Sequence, residues 1–203
     1  MSNQHLSSEE VWNTKGFLFK YDADSGDEDL KDRIGNVGCG CKRGVRDPDF
    51  WSNDFPVWAI CGPYYRMKLQ REDVVFFVPK KNSTRQAGLK DYICASILVV
   101  DDKIPDSKKV IMEDRLTKRY RQSYEADLNE HLKNDKPQTR LVRPKNFIIG
   151  DRSKSLWLGK RRDYLRPILQ TLGLHNIAKK LSQRRIPCLN EGQTRELYEI
   201  LSR

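Results

Sequence analysis

Two short apolar runs dominate the pattern of this chain, Val74-Val75-Phe76-Phe77-Val78 and Ile93-Cys94-Ala95-Ser96-Ile97-Leu98-Val99-Val100, separated by a polar loop rich in Lys, Asn, Ser and Gly. Both are rich in β-branched and aromatic residues and bounded by charges or turn formers. Each is therefore predicted to be a buried strand, and the two together a hairpin. Strand character recurs at Gly16 to Tyr21, at Phe55 to Cys61, and at Pro144 to Gly150 with Ser155 to Gly159 as its partner. Between them the period changes. Ile111, Leu116, Tyr120, Tyr124, Leu128 and Leu132 recur at helical intervals, predicting one long helix over about 111–134 that Lys136-Pro137 ends. Two further helices are predicted at the C-terminus, near Tyr164 to Leu172 and Gly192 to Leu201.

Length and composition turn this pattern into one domain. The 203 residues are 37% hydrophobic and 33% charged, enough for a modest core under a very polar surface. Residues 1–13 are read as a flexible N-terminal segment. Residues 14–160 are read as the β-rich domain with the long helix inserted, and 161–203 as C-terminal helices packed on it. Met1-Ser2-Asn3-Gln4-His5 opens polar and no apolar run approaches a membrane span, so a soluble protein with no membrane partner is expected. The five cysteines, at 39, 41, 61, 94 and 188, include no CxxC pair. Cys61 and Cys94 are read as small core hydrophobes, and the setting as a reducing one, cytoplasmic or nucleoid-associated.

Charge adds a direction. The net charge is +10, but residues 1–102 carry 14 Lys and Arg against 16 Asp and Glu, whereas residues 103–203 carry 24 against 12. A one-sided basic surface suits a phosphate-rich partner, because Lys and Arg release condensed counterions when they meet nucleic acid. The plainer account is a solvated surface that maintains solubility. Lys118, Arg119 and Arg121 on the long helix, and Lys160, Arg161 and Arg162 beyond it, are the cations expected to touch a backbone.

Metal and nucleotide chemistry are poorly represented. His5, His131 and His175 are far apart, Cys39 and Cys41 have no second pair, and no Walker loop, GxGxxG or GxSxG occurs. No metal site and no cofactor are expected. Asp101-Asp102 and Glu113 are the carboxylates that a metal-dependent nuclease would use, with Asp151 as an alternative acid or base, yet no compact third acid and lysine accompany them. Solvated turn acids are the simpler reading.

Aromatic residues are more suggestive. Phe50, Trp51, Phe55, Trp58, Tyr64 and Tyr65 fall within sixteen positions, interleaved or flanked by Arg43, Arg46, Arg66 and Lys68. Flat rings stack on extruded bases while cations hold phosphates; the plainer account of Phe55 and Trp58 is that they fill the barrel core, which leaves Trp51 and Tyr64 as the better pocket candidates.

Read in order, Asp47-Pro48-Asp49-Phe50-Trp51, Trp58-Ala59-Ile60-Cys61, Arg66, and Gln70-Arg71-Glu72-Asp73-Val74-Val75-Phe76-Phe77 resemble the PUA-like superfamily. The nearest likeness is to its nucleotide-modification-associated domains, with EVE, ASCH and YTH domains as wider relatives. Tyr92 to Val99 echoes the family's small-residue strand, and Phe147-Ile148-Ile149-Gly150-Asp151-Arg152-Ser153 with Leu156-Trp157-Leu158-Gly159 its late hydrophobic, polar-turn, aromatic element. The turn carries Glu72-Asp73 where the family usually has Gly-Asp. Over residues 14–160 the resemblance implies an α+β fold: a small curved PUA-like β-barrel with flanking helices and, here, a basic C-terminal helical extension. It also implies nucleic-acid binding, often of a modified or flipped base, without implying catalysis.

The expected function is therefore a DNA- or RNA-binding module that takes a base into an aromatic pocket. Trp51, Trp58, Tyr64 and Trp157 would form its walls, and Arg66, Asp151 and Ser153 would meet the base edge. A metal-dependent enzyme on nucleic acid or nucleotides, and an adaptor for an acidic protein partner, are the alternatives.

Overall fold

A computed structural model describes residues 14–22, 48–50, 53–80, 94–158, 165–177 and 187–203. They form an α+β unit built on a seven-stranded mixed sheet. The strands are β1 (Gly16–Asp22), β2 (Val57–Trp58), β3 (Val74–Lys80), β4 (Ser96–Ile104), β5 (Phe147–Gly150), β6 (Leu156–Trp157) and β7 (Cys188–Leu189). The order is β2-β5-β4-β3-β1-β7, with β6 also on β4. The expected hairpin pair is present: β3 and β4 run antiparallel, Val74 opposite Val99 and Phe77 opposite Ser96. On its other edge β3 meets β1 in parallel, Gly16 opposite Val74.

Strand β4 joins the two halves of the sheet. Ser96 and Ile97 pair with β6, and past a register shift between Val100 and Asp102 the strand continues against β5 to Ile104. Such a bulge bends a strand and sharpens its twist. Asp101 and Asp102, expected in a solvated turn, lie inside β4 at this bulge. The terminal strands β2 and β7 do not pair with one another, so among the described residues the sheet is open rather than a closed barrel.

Period-two alternation gives the sheet two apolar faces. Leu18, Val74, Phe76, Val78, Ile97 and Val99 face the C-terminal helices α5 (Leu165–Thr171) and α6 (Glu191–Ser202), meeting Leu165, Leu169, Leu197 and Leu201. Phe19, Val75, Phe77, Leu98, Val100 and Ile148 face the other way, toward Trp58 and Leu69. A third cluster forms where Ile104, Phe147 and Ile149 meet Val110, Leu116, Tyr120, Tyr124 and Leu128.

The predicted long helix is divided. Helix α2 (Ser107–Ile111) ends, and α3 (Lys118–Asn134) starts afresh with the Thr117 side chain accepting from the Tyr120 N–H at 3.2 Å. The five-residue step from Ile111 to Leu116 is too long for one helical stripe, and the cap accounts for the restart. Pro137 ends that run as expected, but it also opens α4 (Pro137–Val142) as its first residue, where its missing N–H is harmless. Between β2 and β3 lies α1 (Pro63–Arg66).

Cys94 is buried and in no disulfide, its thiol donating to the Ser96 carbonyl at 3.5 Å, in line with a core role. Cys61 is buried too, but it is disulfide-bonded rather than a simple core hydrophobe. No helix among the described residues is long and apolar enough to cross a membrane.

Candidate nucleic-acid interface

Helix α1 starts at a glycine that nothing else could replace. Gly62 has φ +61°, and a Cβ there would lie 2.8 Å from the rings of both Phe19 and Trp58. This close approach carries the chain from β2 over the aromatic face and sets Tyr65 against Phe19, centroids 5.5 Å apart. Phe19 also meets Trp58 at 4.7 Å and Phe77 at 5.8 Å, and Trp58 meets Phe77 edge-on at 5.0 Å. Phe17, Phe19, Trp58, Tyr65, Lys68, Leu69 and Val75 line a recess with an apolar wall and about 10 Å³ of free volume. That is room for a single water or methyl-sized group. Phe17 and Tyr65 are only partly buried and Lys68 is exposed, so its mouth opens to solvent.

The residues expected around a base separate into distinct roles. Trp58 is fully buried in the aromatic core, its indole N–H without an acceptor among the described residues. Trp157 is half-buried on the same side of the sheet, 5.9 Å from Phe50. Tyr64 is 46% exposed on α1. Trp51, Lys160, Arg161 and Arg162 lie outside the described residues.

Arg66 is a correction. It is wholly buried, and its guanidinium donates to the carbonyls of Ile60, Cys61, Arg143, Lys145 and Asn146 at 2.8–3.3 Å. A guanidinium has five N–H donors, so none is left for a base edge. Asp151 closes its own turn, accepting from the Ser153 N–H and hydroxyl at 2.7 and 2.6 Å and from the Lys154 N–H at 3.1 Å. Burial alone would raise its pKa, but these donors outweigh it and hold the carboxyl below its ordinary value. Asp151 and Ser153 therefore satisfy one another in the connection between β5 and β6.

The acids of the enzymatic alternative are likewise engaged. The Arg115 guanidinium reaches Asp102 at 2.9 Å and Glu113 at 2.6 Å, and its hydrogen bonds push both carboxyls below their ordinary values. Asp101 lies 3.5 Å from Arg71. Among the described residues no three His, Cys, Asp or Glu side chains converge as a metal site would require.

No family model, curated protein or solved structure matches the chain. The functional reading therefore rests on the chain's own geometry, and two features of it point outward. One is the aromatic mouth at Phe17 and Tyr65, of which sequence reasoning counted Tyr65 in the aromatic cluster without making it a pocket wall and missed Phe17. The alternation of Phe17 with Phe19 in a strand, and Tyr65 three positions before Lys68, were its available signals.

The other feature is the start of α3. Lys118 and Arg119 are exposed in its first turn, where no acid accompanies them, and Arg121 turns back toward the Ile111 carbonyl at 3.4 Å and Asp114 at 3.8 Å. Cations there oppose the helix dipole, a local cost that an anionic partner would remove. The Thr117 N–H donates to Asn53 Oδ1 at 3.0 Å, which ties this turn to the segment leading into β2.

Proposed function

We propose that the chain is a PUA-like nucleic-acid-binding module in which a base stacks at the aromatic mouth while basic residues hold the phosphate backbone. The observation that carries this reading is the aromatic cluster open to solvent at Phe17 and Tyr65, with the Lys68 cation at its edge. Its recess is too small for a base, so the ring lies across Phe17 and Tyr65 and only a small substituent enters between Phe19, Trp58 and Val75. Lys118 and Arg119, with Arg121 behind them, supply the backbone contact.

The PUA-like reading draws support from the turn before β3. Glu72 holds φ at 72°, the left-handed conformation that glycine adopts freely, at the position where the family pattern carries glycine. Asp73 accepts from the Lys15 and Gln70 N–H groups at 3.1 and 2.8 Å and so fixes the start of both β1 and β3. A strand such as β4, bent at a bulge and shared by two half-sheets, is what a small curved barrel requires.

Tyr65→Ala and Phe17→Ala variants test the proposal in anisotropy titrations against labelled single-stranded DNA and RNA. Base stacking on an aromatic ring is worth about 1–3 kcal/mol, so each variant is expected to bind about 5- to 150-fold more weakly with its circular dichroism unchanged. Wild-type affinity in both would remove the aromatic mouth from the account.

A further inference from the structure

The turn that leads into the aromatic mouth is held by arginines from two different parts of the chain. Arg66, on α1 itself, donates to the Ile60 and Cys61 carbonyls at 3.3 and 3.1 Å. The Ile60 carbonyl also accepts from Arg143 Nη1 at 3.0 Å, a contact between residues 83 positions apart. These are the last two carbonyls before Gly62, whose left-handed backbone, φ +61°, turns the chain from β2 into α1 and sets Tyr65 against Phe19. The entry to the mouth is therefore anchored at Ile60 by a side chain that follows α4.

Arg143 is in turn held by Asp135. Its Nε and Nη2 both donate to that carboxylate, the latter at 2.9 Å, and the two side chains are only 13% and 14% exposed. A two-pronged pair of this kind fixes the direction of a guanidinium as well as its place, which leaves Nη1 on Ile60. Asp135 is itself fixed as the C-cap of α3, its N–H donating to the His131 carbonyl at 2.9 Å. Backbone strain collects at the same clamp. Asn146 holds a left-handed φ of +59°, its carbonyl accepts from Arg66 at 2.8 Å, and β5 begins at the next residue to pair Ile148 with Trp58. A conformation of this sort persists only where the surroundings over-determine it.

We propose that Asp135 and Arg143 are positioning residues for the aromatic mouth: the pair holds the Ile60 carbonyl, and through it Gly62 and Tyr65, in the pose on which a base stacks. Neither residue touches the base. This assignment rests on the mouth being the base site. It also gives α3 two roles, since the helix whose first turn carries Lys118 and Arg119 ends at the carboxylate that sets the mouth.

Two readouts test it. Near-ultraviolet circular dichroism follows the packing of Phe19, Trp58 and Tyr65 with no ligand present, and anisotropy titrations compare a single-stranded DNA with an abasic strand of the same length. Wild-type protein is expected to prefer the strand with bases about 5- to 150-fold. Asp135→Asn keeps the size of the side chain but removes the charge-assisted pair. It should alter the ring spectrum and lower the preference about threefold or more, with far-ultraviolet circular dichroism and abasic affinity unchanged. Arg143→Lys should do the same, because an ammonium lacks the planar fork that spans both partners, whereas Asp135→Glu should recover the preference. An unchanged ring spectrum and preference in both the Asn and the Lys variants would overturn the proposal while leaving the mouth as the base site. Loss of abasic binding in step with the other strand would overturn it by making the pair a general support of the fold. A wild type indifferent to bases would overturn the mouth itself, and this role with it.

Discussion

Arg66 is the residue whose role depends most on distant parts of the chain. Its position beside Tyr64 and Tyr65 suggests an exposed cation near an aromatic pocket, yet its five donors close on carbonyls from two segments more than eighty residues apart. No side-chain pattern could have announced this, because all five partners are backbone atoms. Arg66→Met should cost about 3–5 kcal/mol in urea unfolding by orphaning those carbonyls, and Arg66→Lys should restore only part, since an ammonium lacks the planar fork. Unchanged stability in Arg66→Met would refute the clamp. Glu72 makes the opposite case. Its left-handed backbone is a local cost for any side chain, so Glu72→Gly should raise stability by about 0.5 kcal/mol, and a loss would argue that the Glu72 side chain contributes to the turn.

Elements were legible where a local pattern carried them and illegible where the partner was far away. The runs at 16–21 and 74–78 and the C-terminal helix were plain, because alternation or a helical stripe is a property of neighbours. The strand expected within 55–61 is present as β2, though only Val57 and Trp58 pair, whereas the two-residue β7 was not legible, since only its partner β1 defines it. The restart at α3 lay in between: Thr117 is a recognisable cap, but the apolar spacing masked it. Thr117→Ala should destabilise the protein by about 1 kcal/mol, read from the urea midpoint, and no change would mean that α3 is positioned by packing alone.

The bridge made by Arg115 belongs to the same scale, since it ties β4 to the turn after α2. Asp102 and Glu113 are held below their ordinary pKa values by Arg115, so they contribute stability above the unfolded carboxyl range near pH 4 that is lost as pH falls through their folded values. Arg115→Ala should flatten that acid limb while leaving the neutral-pH side nearly level, and an unaltered limb would show that the bridge carries no linkage.

For the whole molecule, one open mixed sheet exposes an aromatic mouth, and among the described residues the start of α3 presents two exposed cations of the basic second half. The sequence made the charge asymmetry and the aromatic content visible but misassigned individual rings, because burial depends on which face of a bent sheet each strand turns inward. Trp58, an apparent pocket wall, is core, and Tyr65 rather than Tyr64 lines the recess. The Cys61 disulfide is a further property at this scale. Thiol titration of the denatured, unreduced chain should count fewer than five thiols, and a count of five would remove the crosslink. Nucleic-acid binding itself is tested most directly by anisotropy titration of single- and double-stranded DNA and RNA across a salt series, comparing wild type with Lys118→Ala/Arg119→Ala. Binding that weakens steeply with salt, with a slope about two smaller in the double variant, is the expected result, and no binding at low salt, or a slope unaffected by the substitutions, would contradict it.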